Sequence, residues 1–504
     1  MKKLCLLLAV FLLLTGCAQA PETVDCSVSH VDKNDDGLCD SCQTVVLVTF
    51  DVVGINDLHG KLADSDDHPG VDELSTYIKQ IRQVNENVIL LSSGDMWQGA
   101  AESNMTNGLI ITDWMNQMEF TSMTLGNHEY DWGEDAIREN AELAEFPLLG
   151  INVYSRQTGE QAQYCQSSVV VEKSGVKIGI IGAMGDCYSS IASEQSKDIF
   201  FKTGSELTQL VMAESQRLRQ EGVDFIIYSI HDGYEDSTSG KNATKVSSRE
   251  LSGYYDTKLS DGYVDLVFEA HTHQRYLLQD EHGVYHLQGG GDNKGITQAS
   301  ILLNQANGNY SVMSPELLST GEYALLEDDP VVAQLLEKYD EQVAPAMKVV
   351  GNNGVHRNSD ELRQLVAKLY LDAGLEKWGK EYDIVLGGGF ISCRSPGYMS
   401  SGEVKYGLLQ SLFPFDNEIT LCSIKGRELL SKFLETDHYA YFIEVSDYGD
   451  RIKNSIDPDA TYYVITDSFS AYYAPNKMTV LDVYAPEVYA RDLLADYMTA
   501  GGLE

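Results

Sequence analysis

The sequence predicts an α/β fold, and three observations carry that reading. Apolar, β-branched runs alternate with segments whose apolar residues recur at helical spacing. Those runs are continuously apolar, as expected of strands covered on both faces. Five of them end on Asp, His or Asn, usually beside glycine, at the carboxyl ends where open α/β sheets gather their function.

In chain order, VVLVTFDVVGI passes directly into Asn56-Asp57-Leu58-His59-Gly60. NVILLSS leads into Gly94-Asp95, and FTSMTL leads into Gly126-Asn127-His128-Glu129. DFIIYSI leads into His231-Asp232-Gly233, and VDLVFEA into His271-Thr272-His273. VKIGIIGAM fits a further strand with no ligand behind it. GVDELSTYIKQIRQVNEN and TGSELTQLVMAESQRLRQEG are compatible with helices between these strands. A single polar strand end is an ordinary turn in water. Five of them are the walls of one site. His68, His282 and His286, and the loop acids Asp232 and Asp292, read as satisfied polar residues instead.

The totals bound the rest. A chain of 504 residues is too long for one core and predicts two or three domains. It carries 36 Lys and Arg against 76 Asp and Glu, a formal charge of −40. That balance repels phosphate backbones and excludes a basic nucleic-acid groove. An anionic small molecule would need local rescue by metal ions or a few arginines.

The N-terminus reads as a targeting signal over residues 1–17. MKKLCLLLAVFLLLTGC places two lysines before an apolar run too short to span a bilayer permanently. Leu14-Thr15-Gly16-Cys17 resembles the bacterial lipobox. The expectation is export and anchoring to the outer face of the cell membrane through a lipid on Cys17, with residues 18–44 as a tether. Within the tether, Cys26, His30, Cys39 and Cys42 form a C-x3-H…C-x2-C set suited to zinc. The same stretch, Asp32 to Asp40, has the oxygen spacing of a calcium loop, with Gly37 at the turn and Gln43 where Glu is usual. A disulfide-bearing acidic spacer is the third reading. Cys165, Cys187, Cys393 and Cys422 read as small buried hydrophobes.

At the five strand ends, Asp, Asn and His offer mixed oxygen and nitrogen ligands with no thiolate. Such a set suits zinc, manganese, iron or cobalt, and it is large enough for two ions. NDLHG, SSGD, GNHEYD, HDG and AHTH stand in the order of the calcineurin-like metallophosphoesterases. GNHEYDWG with the long C-terminal extension resembles the 5′-nucleotidase family, which includes UDP-sugar hydrolases and 2′,3′-cyclic-nucleotide phosphodiesterases. The resemblance implies a metallophosphoesterase sandwich over residues 45–324, joined by a helix to a smaller α/β substrate-binding domain. Carried over by position, Asp57, His59 and His273 would bind a first metal, and Asn127, His231 and His271 a second. Asp95 would bridge the two. His128 and Asp131 would be the catalytic pair, and the match gives Glu129 no ligand role.

LLEDDPVVAQLLEKYDEQVAPAMKVVG, residues 325–351, predicts one long amphipathic connector helix. Residues 352–504 resemble the family's C-terminal domain more loosely. In LGGGFISCRSPG, Leu386 stands for the family's Asn and Ile391 for its Arg, with Arg394 as a stand-in. Phe415 and Asn417 of LFPFDN are in register, as is Phe469, but Tyr472-Tyr473-Ala474-Pro475 replaces a glycine-rich turn. Phe415 and Phe469 would then sandwich a planar base, with Arg357, Arg363 and Arg394 as candidates for oxyanion contacts. The expected activity is phosphate release from nucleotides outside the cytoplasm. A cyclic-nucleotide phosphodiesterase, a UDP-sugar pyrophosphatase, a phosphatase of a non-nucleotide ester and a non-catalytic nucleotide-binding surface lipoprotein are the alternatives.

Overall fold

The computed structural model describes residues 30–64, 69–192, 194–234, 241–246, 255–431, 441–444, 456–472 and 478–503. Cys17 and its lipobox, Cys26, His68 and the 473–475 turn lie outside the described residues.

The expected strands form at Leu47–Ile55, Val88–Ser92, Ser122–Thr124, Val176–Met184, Phe225–His231 and Leu266–Phe268. They divide between two sheets. The first runs in the order Tyr310–Ser319, Gly295–Asn304, Leu47–Ile55, Val88–Ser92, Ser122–Thr124, Leu148–Leu149. The second has seven strands and carries Val176–Met184, Phe225–His231 and Leu266–Phe268 side by side and parallel, then Tyr285–Gly289. Two glycines let the sheets approach. A Cβ at Gly54 would come 2.3 Å from the Phe268 ring, and one at Gly182 would come 2.3 Å from Leu149 Cβ. Where the sheets meet, the Thr124 hydroxyl donates to Ser229 Oγ at 2.8 Å. All five ligand-bearing strand ends therefore come from two facing sheets rather than one.

The helices follow their sequence signals. Asp72–Val84 opens on Asp72 and Glu73 and closes on Arg82, matching its dipole. It buries Leu74, Ser75 and Ile78, and Trp114 Nε1 donates to Ser75 Oγ at 2.9 Å. Ser205–Gln220 covers the outer face of the second sheet with Leu207, Val211 and Leu218.

The single connector helix expected over 325–351 does not form. Helices at Val331–Lys338 and Asp340–Val343 are followed by a 3-10 turn at Ala344–Met347 and a strand at Val349–Asn353. Pro330 sits at the start of the first, and Pro345 closes the series, because proline lacks the amide that a helix interior needs. Val331, Val332, Leu335, Tyr339 and Val343 pack into the same core as Trp97, Trp114 and Tyr130. The segment is thus part of that core and not a spacer.

Beyond it, Val350, Leu362, Val366, Tyr370, Ile419, Leu421, Ile465 and Leu494 build a separate core. Its sheet runs Tyr441–Glu444, Ile384–Gly389, Thr461–Asp467, Ile419–Lys425, Thr479–Val483. The helix Ser359–Trp378, capped by Asn358 with Glu361 in a reciprocal capping box, lies against it. Gly387 makes room for that helix, since a Cβ there would meet Leu371 at 2.5 Å.

Residues 30–48 and 302–311 form a small unit of their own. Gly37 turns sharply with φ +80°, as the calcium-loop spacing expects. The acids, however, are occupied by amides. Asp32 accepts from the amides of Asp36 and Gly37 at 3.2 and 2.8 Å, and from Asn304 Nδ2 at 2.8 Å. Asp40 accepts from the Lys33 amide at 3.2 Å, and Asp35 from the side chains of Asn304, Asn307 and Asn309. Among the described residues of the unit, His30, Cys39 and Cys42 gather as a metal-binding group and the acids do not.

Inside the second sheet, His286 is fully buried between two carboxylates. Its Nδ1 is 2.7 Å from Glu269 Oε1 and its Nε2 is 3.6 Å from Asp280 Oδ2. Ser260 donates to Asp280 at 2.5 Å, and Tyr276 donates to the other Glu269 oxygen. Burial alone would hold the imidazole down, but Glu269 and Asp280 carry it up to about 9. Burial opposes ionisation of Asp280 too, yet His286 and Ser260 hold it down at about 2. A raised histidine stabilises the fold fully below its ordinary value near 6.5, and that contribution fades as pH rises through about 9. A depressed aspartate stabilises above its ordinary value near 3.8, and that contribution fades as pH falls through about 2. In urea titrations across pH, the native protein should lose stability between about pH 6.5 and 9, and His286→Gln should remove that loss. Parallel alkaline limbs in the two proteins would show that His286 is not charged in the fold.

Candidate functional site

The strand ends are held in conformations that side chains rarely adopt. Asp57, His59, Asp95, His271 and His273 all have φ between +50° and +67°, in the left-handed region. Each costs on the order of 1 kcal/mol or more and persists only where its surroundings over-determine it. Five of the seven predicted metal ligands are in this class. Such strain in three separate turns, concentrated at one place, marks a site rather than unrelated turns.

The donors converge in three groups. One ligand atom each from Asp57, His59 and His273 lie within 4.8 Å of one another, and so do atoms of Asp57, Asp95 and His231. His59 Nδ1 lies 2.9 Å from the Gln98 carbonyl and His231 Nδ1 lies 2.7 Å from that of Ser93, so both rings donate there and turn Nε2 inward. His59 Nε2 then stands 3.0 Å from His273 Nε2, and His231 Nε2 stands 3.2 Å from Asn127 Oδ1. Each of these two inward nitrogens can offer its lone pair to a cation. Burial and His273 push His59 down to about 3, and burial and His231 push His271 down to about 4, whereas Asp95 carries His231 up to about 10 and Asp57 raises His273 against their burial. Asp57 and Asp95 are fully buried carboxylates beside them. This donor set fits divalent metal.

The third group is one that sequence reasoning missed. Cys187, His231 and His271 also offer ligand atoms within 4.8 Å of one another. Cys187 is buried, as expected of a small hydrophobe, but its Sγ lies 2.9 Å from the His231 carbonyl. Cys187 is thus a buried residue, as expected, that also stands beside two of the expected metal ligands. Its 44-residue separation from His231 left no local signal.

Glu129 explains how two of the turns are locked together. Its side chain is fully buried, and its carboxylate accepts four backbone amides. Oε2 takes those of Gly126 and Asp95 at 2.7 and 2.9 Å, and Oε1 takes those of Met96 and Trp97 at 2.8 and 3.3 Å. Asp95 Oδ1 in turn accepts the His128 amide at 2.9 Å. Gly126 is needed at this contact, because a Cβ there would lie 2.3 Å from Asp95 Oδ1.

His128 and Asp131, the residues expected to act as a catalytic pair, are in contact. His128 Nδ1 is 2.7 Å from Asp131 Oδ2, and His128 Nε2 is 2.5 Å from Arg394 Nη2. A guanidinium has only donors, so Nε2 accepts and Nδ1 carries the proton toward Asp131. The Arg394 guanidinium also lies over the Phe415 ring at 5.3 Å, and the His128 and Phe415 ring centroids are 5.8 Å apart. Burial raises the Asp131 carboxyl above its ordinary value, with His128 opposing.

A cleft of about 1340 Å³ joins these residues. Asp95, Asn127, His128, Asp131, His271 and His273 line it together with Arg394, Phe415, Asn417 and Phe469. Phe390, Tyr188, Arg156 and Asp416 line it as well and had no distinguishing sequence signal. Arg357 is not among the lining residues. It sits in the short strand Arg357–Asn358, where it bonds Asn353 and the Val355 carbonyl. Arg363 pairs with Asp360 at 3.1 Å one helical turn away.

Replacing Glu129 with Gln keeps its shape but removes the charge that four amides address. Hydrogen bonds to a charged group contribute about 1.5–3 kcal/mol, and a lost supporting partner typically costs ~10–100-fold in metal affinity. Glu129→Gln should weaken metal binding by that order in a chelator competition titration. Metal affinity equal to that of the native protein would remove Glu129 from this positioning role.

Comparison with known proteins agrees with this geometry. Residues 50–275 match the family model described as calcineurin-like phosphoesterase. Protein UshA of Yersinia enterocolitica is 26% identical over 488 residues, covering 84% of this chain and 86% of that protein. A 5′-nucleotidase of Vibrio vulnificus is 24% identical, covering 75% of this chain and 73% of the relative. The solved 5′-nucleotidase precursor of Thermus thermophilus shares the fold, with a TM-score of 0.67 at 18% identity over 90% of this chain and 96% of that one. The strained metal-ligand turns and the His–Asp pair lie within the residues that match the calcineurin-like phosphoesterase model.

Proposed function

We propose that the protein is an extracytoplasmic, two-metal phosphohydrolase that releases phosphate from nucleotides. The observation that carries the reading is Arg394 and Phe415 meeting His128 beside the metal residues in one cleft. An oxyanion-gripping guanidinium and an aromatic face at the catalytic histidine are what a phosphate joined to a planar base requires. Export and a lipid on Cys17 rest on residues 1–17 alone.

Asp57, His59 and His273 would hold one metal and Asn127, His231 and His271 the other, with Asp95 between them. A divalent pair in such a set supplies charge for the phosphoryl oxygens and an activated water. His128 directs Nε2 into the cleft while Asp131 holds Nδ1–H, so the imidazolium that donates to the leaving oxygen is stabilised where it forms. Arg394, displaced from His128 by substrate, donates to a phosphate oxygen. The Phe415 ring supports the leaving nucleoside by stacking.

Phosphate release should be measured with manganese or zinc on AMP, ATP, a UDP-sugar, 2′,3′-cyclic AMP, an aryl phosphate and glycerol phosphate. Turnover of at least one nucleotide should be abolished by Asp95→Ala. His128→Ala should lower kcat by about 10²–10⁴-fold. Phe415→Ala should raise the nucleotide KM roughly 5- to 100-fold, from stacking of about 1–3 kcal/mol, and leave glycerol phosphate unaffected. Turnover of the aryl phosphate alone would move the substrate outside nucleotides. Silence on every ester with metal bound would leave a binding protein.

A further inference from the structure

The small unit at residues 30–48 carries a second cluster of metal-ligating side chains, in a chemistry the cleft does not use. We propose that His30, Cys39 and Cys42 form a structural zinc site. The Cys42 sulfur lies 3.5 Å from His30 Nδ1, and one ligand atom from each of the three residues falls within 4.8 Å of the others. Atoms sharing one zinc at about 2.0–2.3 Å must crowd together in this way, and Cys-rich tetrahedral sets are the usual structural zinc ligands.

The two cysteines sit on one turn, and Cys39 is fully buried. The turn itself is tied by Asp40 N to the Val31 carbonyl at 2.7 Å, Gln43 N to Cys39 O at 2.8 Å and Cys39 N to Thr44 O at 2.9 Å. His30 is brought back to Cys42 across twelve residues of chain by this arrangement. Calcium is the poorer occupant, since Asp32, Asp35 and Asp40 already accept from amides.

Zinc here closes the His30–Cys42 loop in a unit whose apolar content is small, and it ties metal binding to folding of the segment. Because Cys42 and His30 are not fully buried, they can be replaced without opening a cavity. Metal analysis of the full chain should find a zinc that Cys42→Ser and His30→Ala each lose, about one per chain, with the far-ultraviolet circular dichroism retained. Cobalt-loaded protein should show thiolate-to-metal charge-transfer absorption that disappears in Cys42→Ser. Zinc content unchanged in both variants would overturn the proposal. So would mass spectrometry placing Cys39 or Cys42 of the protein, purified without reductant, in a disulfide. Calcium bound equally by native protein and Cys42→Ser, with no zinc, would also overturn it.

Discussion

The buried carboxylate of Glu129 receives amides from two separate strand-end turns, and the geometry of the metal residues follows from that clamp. Taking a carboxylate out of water costs several kcal/mol, and only multiple charge-assisted bonds offset it. Four amides do so here, and they fix the backbone on either side of Asp95 and before Asn127. Burial and Asp95 still push Glu129 up to about 7, so the clamp is held against an electrostatic load from the residue it positions. The left-handed residues depend on the same over-determination. Asp57 and Asp95 could relax toward ordinary backbone angles if the turns were not tied to one another.

Much of this was legible in the sequence, and the limits have physical causes. Strand ends such as Gly94-Asp95 and His271-Thr272-His273 announce themselves because metal ligands are chemically distinctive and sit at fixed positions after apolar runs. The division into two facing sheets was expected from the family resemblance, and the residues themselves signal it less. It turns on Gly54 and Gly182, whose missing side chains matter only once Phe268 and Leu149 arrive from elsewhere in the chain. Glu129 carried no signal of its role, because its partners are backbone amides that every sequence possesses. The connector helix was misread for a related reason. Its amphipathic pattern is real, and it does bury Val331, Leu335 and Val343, but Pro345 and the local turn at Tyr339 divide it.

In the C-terminal half the arginine that reaches His128 is not at the position that the family resemblance indicates. Ile391 occupies the position of the family's arginine and is buried. Arg394, three residues on, reaches His128 instead, with its amide anchored on the Leu412 carbonyl at 2.9 Å. A long, planar guanidinium tolerates such displacement better than a short side chain would, because it can approach the same point from a different Cα. Arg357 could not serve, since its short strand pairs with Tyr398–Met399 and its guanidinium turns to Asn353.

The charge of the cleft places the metal residues at the centre of recognition as well as catalysis. Asp95, Asp131, Glu194, Asp416 and Glu418 line it, against Arg156 and Arg394. Arg491 pairs with Asp416 and removes one acid from that count. The chain as a whole carries −40, so no long-range field gathers anionic esters from solution. Arg394 is moreover engaged with His128, a contact that a phosphate must break before it gains one. Affinity for a phosphoester in such a cleft therefore has to come from cations held by Asp57, Asp95 and the histidines. On the proposed function, the strained ligand turns would be the substrate-binding surface, and the arginine and phenylalanine in the same cleft would select what the phosphate is attached to.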